Sequence, residues 1–251
     1  MEKKFMDKSA ADQSLVAIEN LIETYSPEFE SIERNGVMSF LRKLQNIVAS
    51  NNTLILKTIN ELLPLNFFVD DYQRGYKWMP QQVTELLNDI HEFELGGEDF
   101  YCLQPVVVKH HGPESTGQRG RWELIDGQQR MTTVYMILSY LEHNKYSIDY
   151  RTRTGSGEFL KQHLKNSLSF KDWDEFLNQH INGDQVSHLD NVDNYHFYTA
   201  YQVIHNWFSS EGRFNEAKDR GYWLDKLLNH TKVIWYAARE GTESLDKQQS
   251  I

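Results

Sequence analysis

The residues best suited to chemistry stand in one stretch, Leu124-Ile125-Asp126-Gly127-Gln128-Gln129-Arg130-Met131-Thr132-Thr133. It holds one carboxylate, one glycine, two amides, one guanidinium and two hydroxyls. An apolar run from Trp122 to Ile125 leads into it and reads as a buried strand. Met131, Val134, Tyr135, Leu138 and Leu141 follow at the spacing of one helical face. The chemistry therefore falls on a strand–turn–helix junction, where free backbone N–H groups and the helix dipole favour phosphate. Arg130 lies in the first helical turn, where a cation is unfavourable unless an anion is bound above it. Asp126 with Gln129 three residues later resembles a capping box. Gly127 allows backbone to come close to whatever sits over the helix start. In the plainer reading, Asp126 only caps the helix and Arg130 only pairs with a nearby carboxylate.

A second stretch carries aromatics around an arginine: Asp70-Asp71-Tyr72-Gln73-Arg74-Gly75-Tyr76-Lys77-Trp78. In an extended chain Tyr72, Arg74, Tyr76 and Trp78 share one face. Aromatic rings beside a guanidinium can stack a base and hold a phosphate. The competing reading is packing, with Arg74 paired to Asp70, Asp71 or Asp89.

The elements that must position these residues follow from periodicity. Thr53 to Pro64 reads as a short strand and a helical turn through Ile59, Leu62 and Leu63. Phe67 to Val69 is a short buried strand. Pro80 opens a helix with Val83, Leu86, Leu87, Ile90 and Phe93 on its buried face, stopped by Gly96-Gly97. Tyr101 to Lys109 and Trp122 to Asp126 read as a hairpin with a long tip, and Pro105 predicts an exposed edge or a bulge. Tyr150 to Gly157 is a polar link. Helical stripes follow around Phe159 to Leu168, Trp173 to Ile181 and Phe197 to Phe208, with N-cap candidates near Asp190-Asn191. Tyr222 to Leu228 is a further helix and Thr231 to Ala238 a last strand. The expected fold class is α+β, a small mixed sheet with packed helices. Its expected parts are an N-terminal helical extension (1–52), a core (53–150), a helical lobe returning to the last strand (151–238) and a polar tail (239–251).

Composition narrows the function. With 251 residues and 39% hydrophobic positions the chain has ample core. Its net charge of -10 argues against binding nucleic acid by bulk charge, so any phosphate contact must be local. A single cysteine, Cys102, excludes an internal disulfide and a cysteine-rich zinc site. No apolar run is long enough to span a bilayer, and Met1 to Phe5 lacks a signal-peptide pattern, so a cytoplasmic protein with no membrane partner is expected.

The two stretches, with Leu86-Leu87-Asn88-Asp89-Ile90 between them, resemble the N-terminal domain family of GmrSD-type, modification-dependent restriction enzymes. Asp193-Asn194-Tyr195-His196-Phe197 and Val233-Ile234-Trp235-Tyr236 resemble that family's later helix and strand. The resemblance runs from about Thr53 to Ala238. It implies a sheet of the ParB-like and sulfiredoxin-like superfamily and an NTP-binding, probable NTP-hydrolysing regulatory domain in anti-phage restriction. On that reading Tyr72, Gln73, Arg74, Tyr76, Trp78, Gly127, Arg130, Thr132 and Thr133 contact nucleotide. Asp126, Gln128 and Gln129 serve hydrolysis, with Asp126 on Mg²⁺. The sequence departs from the family pattern where Asp70-Asp71 replace an Ile-Pro, and where Arg239 to Ile251 lack an Ile-Asn motif. In that family an HNH-type nuclease domain usually follows, and no HNH constellation occurs here. DNA is then expected as a partner only through a full-length protein or a nuclease partner. Two alternatives remain: a non-catalytic module that reads DNA or a partner protein, and a ParB-like metal-dependent nuclease.

The sparse basic residues Lys109, Arg119, Arg121, Arg151 and Arg153 predict weak binding to unmodified duplex, at ~10⁻⁴ M or poorer in ~0.15 M salt. A gel-shift titration checks this. Tight binding to plain duplex, or Mg²⁺-dependent cutting by this chain alone, would promote the nuclease reading.

Overall fold

The computed structural model describes residues 53–96, 100–112, 121–180, 188–210, 214 and 217–238. The expected N-terminal helices, the hairpin tip and the polar tail lie outside them. Strands β1 (Thr53–Thr58), β2 (Asn66–Val69), β3 (Tyr101–His111), β4 (Arg121–Asp126), β5 (Ser147–Tyr150) and β6 (Thr231–Ala238) form, among the described residues, one sheet in the order β1-β6-β3-β4-β2-β5. Helices α1 (Ile59–Leu62), α2 (Pro80–Glu92), α3 (Gln128–Tyr140), α4 (Ser156–Glu158), α5 (Trp173–Gln179), α6 (Val192–Ser209) and α7 (Ala217–Asn229) complete an α+β fold. Leu56–Ile234 forms one compact unit holding both motif stretches. Of a second unit, only residues 53–55 and 235–238 are described, the ends of β1 and β6.

The sheet is mixed because its connections differ. β3 and β4 run antiparallel as the expected hairpin, while β2 lies parallel to both β4 and β5. Pairing of Phe67 with Trp122 and Ile148, and of Phe68 with Glu123 and Asp149, sets the two faces. Phe67, Val69, Ile148 and Tyr150 alternate with these charged positions and are buried. Phe68 is also sealed, but by cations: the Arg121 and Arg151 guanidiniums lie 4.9 and 4.3 Å from its ring centre.

β5 corrects the sequence reading, which left Ser147 to Asp149 unassigned and began a polar link at Tyr150. Pro105 does not mark an edge, because β3 lies between β6 and β4. Irregularity takes its place: Gln104 has φ 61, and the register shifts between Val107 and Val108.

α2 starts at Pro80 as predicted, with Met79 N–H donating to Gln82 Oε1 at 2.8 Å. It stops at Glu92, four residues before Gly96, so Phe93 falls outside the helix. Residues 156–169 form no single helix. α4 passes into a π-helical turn, Phe159–His163, and then a 3₁₀ turn, Asn166–Ser169. The end expected for α5 at Ile181 and Gly183 lies outside the described residues. α6 begins where Asn191 accepts from Asn194 N–H at 3.0 Å and packs against α2 and α3.

α3 is the axis of this arrangement. Eleven of its residues are buried, Gln128 and Gln129 among them, so it is a core helix rather than the one-sided helix that the sequence suggested. β5 reaches it through Tyr150, whose hydroxyl lies 2.8 Å from Thr132 Oγ1, and Ile148 on the same strand is 1% exposed. Ile148→Ala should therefore lower the unfolding free energy by about 2–5 kcal/mol. Urea denaturation checks this, and a loss below ~1 kcal/mol would mean that β5 is not part of the core.

Candidate functional site

The site is built at the end of β4. Gly127 takes φ 86 and ψ 4, a left-handed turn between strand and helix. Space demands glycine as well: a Cβ there would lie 3.0 Å from Val106 Cγ2 and 3.1 Å from the Pro105 carbonyl oxygen. α3 begins with no side-chain cap, and its first return bond runs from Met131 N–H to the Gly127 carbonyl at 3.0 Å. The expected capping box is absent. Asp126 Oδ1 instead accepts from Gly127 N–H at 2.7 Å, and Gln129 points elsewhere.

The two glutamines reach the second motif. Gln128 Nε2 donates to the Arg74 carbonyl at 2.9 Å. Gln129 Nε2 donates to the Gly75 carbonyl at 3.0 Å, and its Oε1 accepts from Lys77 N–H at 2.8 Å. An extended segment must pair its backbone groups or leave them costly and unsatisfied. Here two side-chain amides replace a neighbouring strand. The stretches that sequence singled out separately are thus one object.

The motif residues divide by burial. Tyr76 is buried; its hydroxyl is 2.8 Å from Thr133 Oγ1 and its ring 5.1 Å from that of Phe197. Thr133 Oγ1 also donates to the Gln129 carbonyl. Thr132 Oγ1 donates to the Gln128 carbonyl at 2.7 Å and lies 2.8 Å from the Tyr150 hydroxyl. Burial pushes the Tyr76 and Tyr150 phenols above their ordinary range. Tyr76, Thr132 and Thr133 therefore fasten the site to the core. The single face expected for Tyr72, Arg74, Tyr76 and Trp78 is not formed, because the chain turns Tyr76 inward while Arg74 and Tyr72 stay exposed and Trp78 is half-buried.

Tyr72 exposes its ring but anchors its hydroxyl, which donates to Glu123 Oε1. His111 Nε2 lies 2.7 Å from the other oxygen of that carboxylate. Burial, with the Glu123 bond second, pushes the Tyr72 phenol up to about 12. Gln73 Nε2 donates to the Tyr72 hydroxyl at 3.4 Å. Two of the three acids that could pair with Arg74 are engaged elsewhere. Asp70 lies 3.7 Å from Arg151, and Asp89 accepts from the Tyr101 hydroxyl at 2.8 Å. Among the described residues Arg74 has no ion-pair partner.

Arg130 turns toward the sheet. Its Nη1 donates to Gln104 Oε1 at 3.0 Å and its Nη2 to the Pro105 carbonyl at 2.7 Å. Burial lowers its pKa, and the nearby Asp126 charge opposes that shift. The carboxylate pair of the plainer reading is not formed; an amide oxygen and a backbone carbonyl receive Arg130 instead.

One residue of the site was not singled out in sequence. Asp193, in the first turn of α6, is fully buried. It accepts from Thr152 Oγ1 and Arg153 Nη1 at 2.7 Å each, and from Ser156 Oγ at 3.4 Å. Its carboxylate lies against Gly75, where a Cβ would collide with it. The signal was present: Asp193 stands four residues before Phe197, on the stripe that the helix buries.

Among the described residues, no group of three or more His, Cys, Asp or Glu is placed to hold a metal ion. No described helix is long and apolar enough to cross a membrane.

A mixed sheet with a glycine-led, uncapped helix start, holding an arginine loop through two amides, defines an α+β domain with its site on one strand–helix junction. The model of the GmrSD restriction endonuclease N-terminal domain matches residues 51–250, and the chain belongs to that family of restriction-system domains. No curated protein matches the chain.

Arg130 holds the left-handed Gln104 and its neighbour Pro105 in place. Arg130→Ala should therefore cost about 1.5–3 kcal/mol of stability, rather than leaving the fold untouched. An unchanged urea midpoint would show that this brace carries no weight.

Proposed function

We propose that the junction binds the phosphates of a nucleoside triphosphate and supports their hydrolysis, as the regulatory part of a restriction system. The observation that carries this reading is the uncapped start of α3 with Arg74 held exposed next to it. Free N–H groups at a helix start suit phosphate oxygens, and a guanidinium fork adds paired, charge-assisted bonds. Arg74 takes the role of phosphate clamp. Arg130 adds its charge from below while bracing β3.

The two glutamines separate in role. Both ends of the Gln129 amide are committed to the Gly75–Lys77 backbone. Gln128 Oε1 is buried and without a protein partner, so this oxygen has capacity for a water or a ribose hydroxyl while Nε2 holds the Arg74 carbonyl. Orienting water with an amide assists phosphoryl transfer in other nucleotide hydrolases. The exposed Tyr72 ring and half-buried Trp78 offer surfaces for a base.

Asp126 is exposed and commits one oxygen to Gly127 N–H. Mg²⁺ is commonly held by one or two carboxylates plus substrate phosphates, so a single carboxylate here fits that ion. Asp126 would hold Mg²⁺ there, and the ion would supply neutralising charge to the transferring phosphoryl group. DNA enters through the restriction system, with this domain coupling nucleotide state to a nuclease elsewhere.

Asp126→Asn tests the chemistry apart from the fold. Asn keeps an acceptor for Gly127 N–H, so thermal stability should hold while Mg²⁺-dependent phosphate release falls at least tenfold, about 1.4 kcal/mol in barrier. Phosphate release by the purified chain with each NTP measures this. Equal turnover in the variant removes Asp126 from the reaction, and no turnover or NTP binding by the parent chain defeats the reading.

A further inference from the structure

We propose that Arg153 is a second phosphate-binding guanidinium of this site, set in place by Asp193 as its positioning residue. This rests on the anion-site reading above. The sequence put Arg153 in a polar link and gave it no role beyond a sparse basic surface. The structure gives it a fixed address.

Asp193 is 0% exposed, yet its carboxylate receives three donors from one short segment, Thr152, Arg153 and Ser156. A buried carboxylate so supplied is a rigid anchor, because losing any donor leaves charge unsatisfied. The partner is not buried with it: the Arg153 side chain is 41% exposed. Nη1 alone bonds Asp193, so the rest of a five-donor fork faces outward. A planar group held through one nitrogen keeps its remaining donors for an anion.

Asp193 also ties Arg153 to the backbone next to Arg74. The Asp193 carboxylate touches Gly75, leaving no space for a Cβ. The Gly75 carbonyl is held by Gln129 and the Arg74 carbonyl by Gln128. Gly75 is therefore pinned from α3 on one side and from α6 on the other. Arg153 stands one carboxylate away from Gly75, and Arg74 is its chain neighbour. Arg74 and Arg153, both exposed, are thus each linked to the Gly75 position, one along the chain and one through Asp193. A single arginine suits a monophosphate; two on separate elements suit a chain of phosphates. The proposal selects a polyphosphate over a phosphomonoester as the ligand class.

The site also joins two parts of the fold. Arg153 follows β5, and Asp193 belongs to α6, while Arg74 sits in the loop before α2. Phosphate bridging Arg74 and Arg153 would tie that loop to the segment after β5.

Calorimetric titration of the full chain with ATP, GTP and inorganic triphosphate, each with Mg²⁺, tests this. Arg153→Lys keeps a charge on Asp193 but lacks the second edge of the fork. It should bind each triphosphate probe ~10-fold or more weakly with an unchanged melting temperature, while AMP and GMP affinity moves little. Arg153→Met alone could fail to fold, because it strands the Asp193 charge. The double variant Arg153→Met with Asp193→Asn removes both charges and should show the same selective loss. Parent-like triphosphate affinity in Arg153→Lys or in the double variant overturns the assignment and leaves the α3 site standing if Arg74→Ala still weakens binding. Equal loss for mono- and triphosphates also overturns it. A parent chain that binds none of the probes overturns both.

Discussion

The site depends on one side chain standing in for backbone. Gln129 offers a donor to the Gly75 carbonyl and an acceptor to Lys77 N–H, the pair that a neighbouring strand would supply. Both bonds lie where the residue is 8% exposed, so water cannot readily replace them. Without them, the arginine loop would have unsatisfied polar groups against a buried helix. With them, Arg74 has a fixed place relative to the start of α3. Glutamate at position 129 would keep the acceptor and lose the donor, and a shorter amide would reach neither partner.

Much of the architecture was legible in the sequence because it is periodic. The stripe of α6 and the β-branched β3 and β6 carry enough apolar residues to declare their period. β5 did not, since four residues with one β-branched side chain give too little alternation to read. Its identity comes from parallel pairing with β2, a partner that is 81 residues away where Ser147 meets Asn66. The broken helix after Ser156 was read as one element because Phe159, Leu160 and Leu164 keep a helical stripe through a π-helical turn. α3 reads as one-sided because only its apolar stripe shows in the sequence; Gln129, Thr132, Thr133 and Ser139 bond inside the core.

The site was legible as a pair of stretches but not as a set of roles. Residue types announced phosphate chemistry at both. They did not announce that Gln129 is spent on backbone, that Arg130 reaches back to Gln104, or that Tyr76 faces inward. Those assignments depend on which atoms lie opposite across long stretches of chain, from the 26 residues between Gln104 and Arg130 to the 57 between Tyr76 and Thr133. Asp193 shows the converse: an acid on an apolar stripe is anomalous by itself, but only the fold reveals that it lies against a glycine.

The contact between Gly75 and Asp193 also sets a schedule for the nascent chain. The loop cannot be pinned on both sides until α6 has been synthesised and docked, because its second anchor is 118 residues further on. Closing so long a loop is entropically slow and is rewarded only once the sheet and α3 exist. The pinned loop is thus among the last features to be completed during synthesis. A polypeptide released before α6 would carry both sequence motifs intact and still lack the second anchor of the loop.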